Sequence, residues 1–116
     1  MLFARSETIR LYLKNKQVTD EQTDTWIEVP KELTAYEREL ALKVFKNSKI
    51  EISEVEGRRS AFVDLASLEV IPYEFLARII KAWSESVPVT IENLKQVEAI
   101  TLLNIWQYLR ELYALG

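Results

Sequence analysis

Three groups of side chains in this sequence have types and spacing that could do chemistry. Asp20, Glu21 and Asp24 stand close together and offer oxygen ligands for a hard cation, but a calcium loop also needs a glycine at its sharp turn and regularly spaced carboxylates, and this stretch has neither. A solvated hairpin tip is the simpler reading. Glu51, Glu54 and Glu56 could supply an acid/base pair. No nucleophile class stands beside them, and carboxylates on an exposed strand also serve to discourage edge pairing. Arg58 and Arg59, beside Gly57, could clamp a carboxylate or phosphate with two guanidiniums, although such pairs also keep turns soluble.

Composition removes much of the remaining chemistry. The chain has no histidine and no cysteine, so the commonest general base, the commonest transition-metal ligand, disulfides and thiolate sites are all missing. There is no glycine-rich phosphate loop and no serine nucleophile elbow. The expectation is a non-enzymatic protein with no catalytic residues, no cofactor and no metal. A formal charge of -3 opposes counterion-release binding to nucleic acid. The apolar run at the start is too short for a signal peptide, and no segment approaches the ~18 apolar residues of a membrane span. These features predict a cytoplasmic chain that binds neither nucleic acid nor membrane.

The elements that must position any site follow from periodicity. At 116 residues, with 48% hydrophobic and 28% charged side chains, the chain has enough apolar material for one core and predicts a single domain over 1–116. Ile9, Leu11 and Leu13 alternate with Arg10 and Lys14, a strand pattern, and Trp26, Ile27 and Val29 predict a second strand ending at Pro30. A hairpin with a long polar tip joins them. Thr34 and Glu37 form a capping box, opening a helix with Tyr36, Leu40, Leu42, Val44 and Phe45 inward, Glu37, Arg38, Glu39 and Lys43 outward, and an end at Asn47 and Ser48.

Beyond it, Ile50, Ile52 and Val55 alternate with polar residues, and Ala61 to Leu65 could return past Gly57 as a second hairpin. An exposed loop, or a strand leading into the next helix, fits the same residues. Pro72 suits a helix first turn, and Phe75, Leu76, Ile79, Ile80 and Trp83 keep helical spacing. Thr90 caps a short helix around Glu92 to Lys95, and a final helix runs from about Ala99 to Ala114. The fold class is therefore α+β: an N-terminal β-hairpin and a possible second hairpin, packed with a mainly helical C-terminal half.

On the final helix Leu102, Ile105, Trp106, Leu109, Leu112 and Tyr113 share one side, widened by Ile100 and Leu103. A stripe this broad predicts a second surface to cover, by self-association or by a helical partner. Trp26, Trp83 and Trp106 are then either core side chains or interface anchors. Trp83, Leu102, Trp106, Leu109 and Tyr113 are the candidate partner-binding residues.

The order of features resembles the tail assembly chaperones of long-tailed (siphovirus-like) phages and prophages. The resemblance is carried by "ARSETIRLYL", "WIEVPKELTAYE", "IIKAWS", "PVTIENL" and "LLNIWQYLREL", about half the chain. In that family a Trp-Ser helix end and a Pro-Val-Thr turn join two helices, so Trp83 and Pro88 would set how the last helices pack. The chain departs from the family pattern in a more strand-like 50–65 segment and a more apolar final helix. What the resemblance implies is a homo-oligomeric chaperone acting in the host cytoplasm. It would coat the tape measure protein, keep it soluble and yield it to tail tube protein subunits, often beside a longer frameshifted form. A structural tail component, such as a terminator or connector subunit, is the alternative.

Overall fold

The computed structural model describes residues 2–53 and 70–115, with the backbone alone over 45–53. In chain order the elements are β1 (Thr8–Lys14), β2 (Gln17–Thr19), β3 (Trp26–Pro30), α1 (Ala35–Ser53), α2 (Tyr73–Ile79), β4 (Ala82–Trp83), α3 (Ile91–Leu94) and α4 (Ala99–Leu112). The fold is α+β: an antiparallel sheet in the order β2-β1-β3-β4 against the helices.

The sheet is built as its alternation requires. β1 pairs with β3 from Thr8 opposite Pro30 to Tyr12 opposite Trp26, which places Leu11 opposite Ile27 and Ile9 opposite Val29 on one face. Leu11, Leu13, Ile27 and Val29 are buried there. The other face carries Arg10, whose guanidinium lies 3.8 Å from the Trp26 ring centroid and 3.6 Å from Glu28. The polar tip of the expected hairpin holds a strand of its own. β1 turns back into β2 through Asn15 and Lys16, both at positive φ (53° and 68°), the pattern of a type I′ turn. Glycine is the usual second residue of such a turn. Here Lys16 docks the turn on α4: its carbonyl accepts from the Asn104 side-chain amide at 2.8 Å and its ammonium pairs with Glu98 at 3.0 Å.

The capping box forms as read, with Thr34 N–H to the Glu37 carboxylate at 3.0 Å and Glu37 N–H to the Thr34 hydroxyl at 3.1 Å. The inward face of α1 differs from the expected one. Glu37, Leu40 and Ala41 are buried while Tyr36 is 52% exposed. Glu37 tolerates burial because its carboxylate caps the helix and meets Arg78 Nε at 3.3 Å, and Arg78 in turn lies over the Tyr36 ring. α1 also runs past Asn47 and Ser48 to Ser53, so Ile50 and Ile52 are helical and the first arm of the expected second hairpin is not a strand. No glycine or proline interrupts 46–53, and a nucleated helix adds a hydrogen bond for each residue it extends. The rest of that reading, with the Glu54, Glu56, Arg58 and Arg59 groups, lies outside the described residues.

One core joins the layers. Phe75, Leu76 and Ile79 from α2, Leu94 from α3 and Leu102, Ile105, Trp106 and Leu109 from α4 pack on the apolar sheet face. Phe75 and Trp106 meet edge to face at 5.8 Å between centroids. α4 ends in a Schellman motif, with Leu115 N–H on Arg110 O (2.8 Å), Ala114 N–H on Glu111 O (3.2 Å) and Ala114 at φ 52°. No helix among the described residues is long and apolar enough to cross a membrane.

A candidate partner cleft beside Trp83

Trp83 was expected to close a helix, and it stands instead in a strand. α2 stops at Ile79, Ile80 turns extended (φ -76°, ψ 104°), and Ala82 and Trp83 pair with Glu28 and Ile27 of β3. The edge of β3 would otherwise leave backbone groups unpaired, and satisfying them outweighs one more helical turn. Lys81 N–H donates to Glu28 O at 2.8 Å and Ser84 N–H to Trp26 O at 3.0 Å, bracketing the pair.

Because residues directly opposite in an antiparallel ladder share a face, Trp83 lies on the helix-bearing side of the sheet beside Ile27. It stands on the outer strand, where the helices stop short of covering it. Between it and α3–α4 opens a cleft of about 90 Å³, walled chiefly by Ile27, Ile80, Leu94, Leu102 and Ile105. A sealed apolar cavity of about 150 Å³ holds benzene, so this cleft fits one aliphatic side chain rather than a large aromatic one. A shallower depression of about 420 Å³ shares Trp83, Glu85, Val97 and Thr101 with it and continues outward past Val87, 47% exposed, to Glu98.

The dense punctuation of "WSESVPVTIENL" is what holds this wall. Trp83 Nε1–H donates to Val87 O at 2.6 Å, which fixes the indole against the turn. The Asn93 amide donates to Pro88 O at 2.8 Å, and Asn93 N–H donates to the Thr90 hydroxyl at 3.1 Å as the cap of α3. Ser84 accepts from Trp26 N–H at 3.1 Å. Trp83, Ser84, Thr90 and Asn93 thus tie the turn to itself and to β3, and the loop stands as a firm rim.

Charge at the rim is of one sign. Among the described residues, Glu85 is the only charged side chain on the cleft wall, and Glu85 and Glu98 are the only ones on the adjoining depression. Glu98 is held below the usual carboxylate range, first by the hydrogen bond from Lys16 and then by that from the Thr101 hydroxyl. Among the described residues no ion pair forms at Glu85.

The five expected partner residues divide. Leu102, Trp106 and Leu109 are core, 2%, 0% and 0% exposed, and only opening the fold would present Trp106 or Leu109 to another chain. They follow the i, i+3, i+4, i+7 spacing that faces the sheet, which is why the sheet takes them first. Leu102 still contributes to the floor of the cleft. Tyr113 packs on the core, and its hydroxyl donates to Pro30 O at 2.6 Å. Its phenol is pushed well above the ordinary value by burial and then by the Glu37 carboxylate. Trp83 alone of the five stands at an open apolar surface. Leu112, read on the same side of the helix as Leu102 and Trp106, is exposed with Ile100 and Tyr108.

No family model matches the chain, and no curated protein or solved structure matches it. The cleft is therefore read on its own geometry.

Asp20, Glu21 and Asp24 are exposed, and Glu21 pairs with Lys14 at 2.7 Å, which ties the tip to β1. No group of carboxylates among the described residues is arranged to hold a metal ion. The β2 strand and the cleft were both missed by sequence reasoning. Asn15, a residue that tolerates positive φ, was the available sign of the turn. Nothing in the sequence marks a cleft made by a strand only two residues long.

Proposed function

We propose that this chain is a non-enzymatic chaperone of the phage tail assembly type. It binds the tape measure protein, keeps it soluble in the host cytoplasm and releases it to tail tube subunits as the tube grows. The observation that carries the reading is the open cleft beside Trp83: an apolar slot of side-chain size, firmly walled and rimmed by polar residues. A long helical protein with exposed apolar faces aggregates unless those faces are covered, and insertion of single aliphatic side chains into many copies of such a slot covers them reversibly. Affinity at each copy stays modest, because one small anchor offsets little of the entropy lost on association, and that modesty suits later displacement by tube subunits. Exposed Ile100, Tyr108 and Leu112 on α4 supply a second apolar area for contacts between copies.

Co-expression with the tape measure protein tests the reading. Solubilisation and co-purification are expected, with the chain absent from finished tails. Failure to solubilise, or stoichiometric retention in finished tails as a terminator or connector subunit would show, overturns it.

A further inference from the structure

Granting that the cleft beside Trp83 is a partner site, its chemistry specifies what enters it. We infer that the occupant is an aliphatic side chain, leucine or isoleucine, flanked within one helical turn by lysine or arginine. The volume sets the first half. About 90 Å³ takes an isobutyl group with good contact, whereas an indole or phenol would stand partly out of it. Charge complementarity sets the second half. Among the described residues, every charged group on the walls of the cleft and its outward depression is a carboxylate. Lys16 partly offsets Glu98 at 3.0 Å, but Glu85 stands at the mouth with no ion pair among the described residues. A helical ligand places residues three and four from its anchor on the same face as the anchor, so cations there reach the Glu85 side of the mouth while the anchor is seated. Carboxylates at those positions meet like charge instead.

A second copy of this chain is the competing occupant, through the exposed Leu2 and Phe3. That segment is clasped at its base, Arg5 N–H and Nε lying 2.7 and 3.2 Å from the two Glu32 oxygens, so the guanidinium beside it is already engaged. Phe3 is also aromatic where the slot is of aliphatic size.

The test uses the full chain and two synthetic amphipathic helical peptides with a central leucine, one with lysine and one with glutamate three and four residues to either side. In calorimetric titration at low salt the lysine peptide should bind about fivefold more tightly, the scale of exposed ion pairs replaced by repulsions, and the gap should close as salt rises. Glu85→Lys, at an exposed position whose change leaves the fold intact, should invert the order. Replacing the central leucine by alanine should weaken binding at least about tenfold. Equal affinities, an order unchanged in Glu85→Lys, no loss with the alanine peptide, or no binding of either peptide would each overturn the inference. So would self-association of the chain alone that Glu85→Lys abolishes, since the slot would then belong to a second copy. None of these outcomes involves the tape measure protein, so the inference and the chaperone reading fail separately.

Discussion

Trp83 and Trp106 carry the same indole at the same kind of helical spacing, yet one borders an open slot and the other is sealed. Trp106 lies on α4 with Leu102, Ile105 and Leu109, and the sheet and Phe75 enclose it completely. Trp83 leaves its helix to complete an edge, and only one side of it finds cover. The difference teaches that an apolar stripe is assigned to core or surface by what faces it. A helix crossing the middle of a sheet is covered, whereas a strand at the margin is covered on one side.

The sharpest way to break the comparison is to truncate both indoles. Trp106→Ala should lower stability by about 3–5 kcal/mol in urea unfolding, as expected for a large side chain removed from a closed core. Trp83→Ala should cost only about 1–2 kcal/mol, because less area is uncovered and the lost hydrogen bond lies near solvent. Equal losses would erase the distinction between the two sites.

A smaller effect probes the sealed end. Tyr113 keeps its proton in the folded state to higher pH than in the unfolded chain, where a phenol ionises near 10. Its stabilising contribution is therefore complete below about pH 10 and falls as pH rises toward the higher folded value, since the unfolded state loses its proton first. Tyr113→Phe should flatten the alkaline decline in melting temperature. A decline of unchanged steepness in that variant would place the titrating group elsewhere.

Smallest, and of opposite sign, is Ala114→Gly. Ala114 holds φ 52° in the Schellman motif that turns Leu115 back into the core, a conformation that suits glycine better. Stabilisation of about 0.5–1 kcal/mol is expected from the midpoint of urea unfolding. A loss would show that the αL strain is less than the chain entropy that glycine restores.

Legibility in the sequence followed how local each cause is. The Thr34–Glu37 box, the Thr90 cap and the β1 and β3 alternation are written within a few residues, and each was readable; the apolar stripe of α4 was readable too, but not which of its residues the sheet would bury. β2 was hidden because Val18 is its only apolar residue and its turn has lysine where glycine would announce it; the reason for Lys16 is its contact with Glu98 and Asn104, far along the chain. Trp83 was misplaced because helical spacing through Ile79 and Ile80 continues into it, while the edge of β3 that captures it is remote in sequence. Glu37 looked solvated because its partner Arg78 belongs to another helix. The cleft has the same origin, for it exists only once the β4 edge and α3–α4 are assembled.

The chain has three tryptophans, so a proton–nitrogen spectrum of the isotopically labelled protein should contain three indole signals. Adding the lysine-flanked leucine peptide measures the central claim, that partners enter beside Trp83 and leave the α4 core closed. The Trp83 signal should move progressively to saturation, because its N–H donates to Val87 at the rim of the slot, while the Trp106 signal stays in place. Movement of Trp106 with Trp83 unmoved would contradict the account, placing the binding surface on α4 and the cleft outside it.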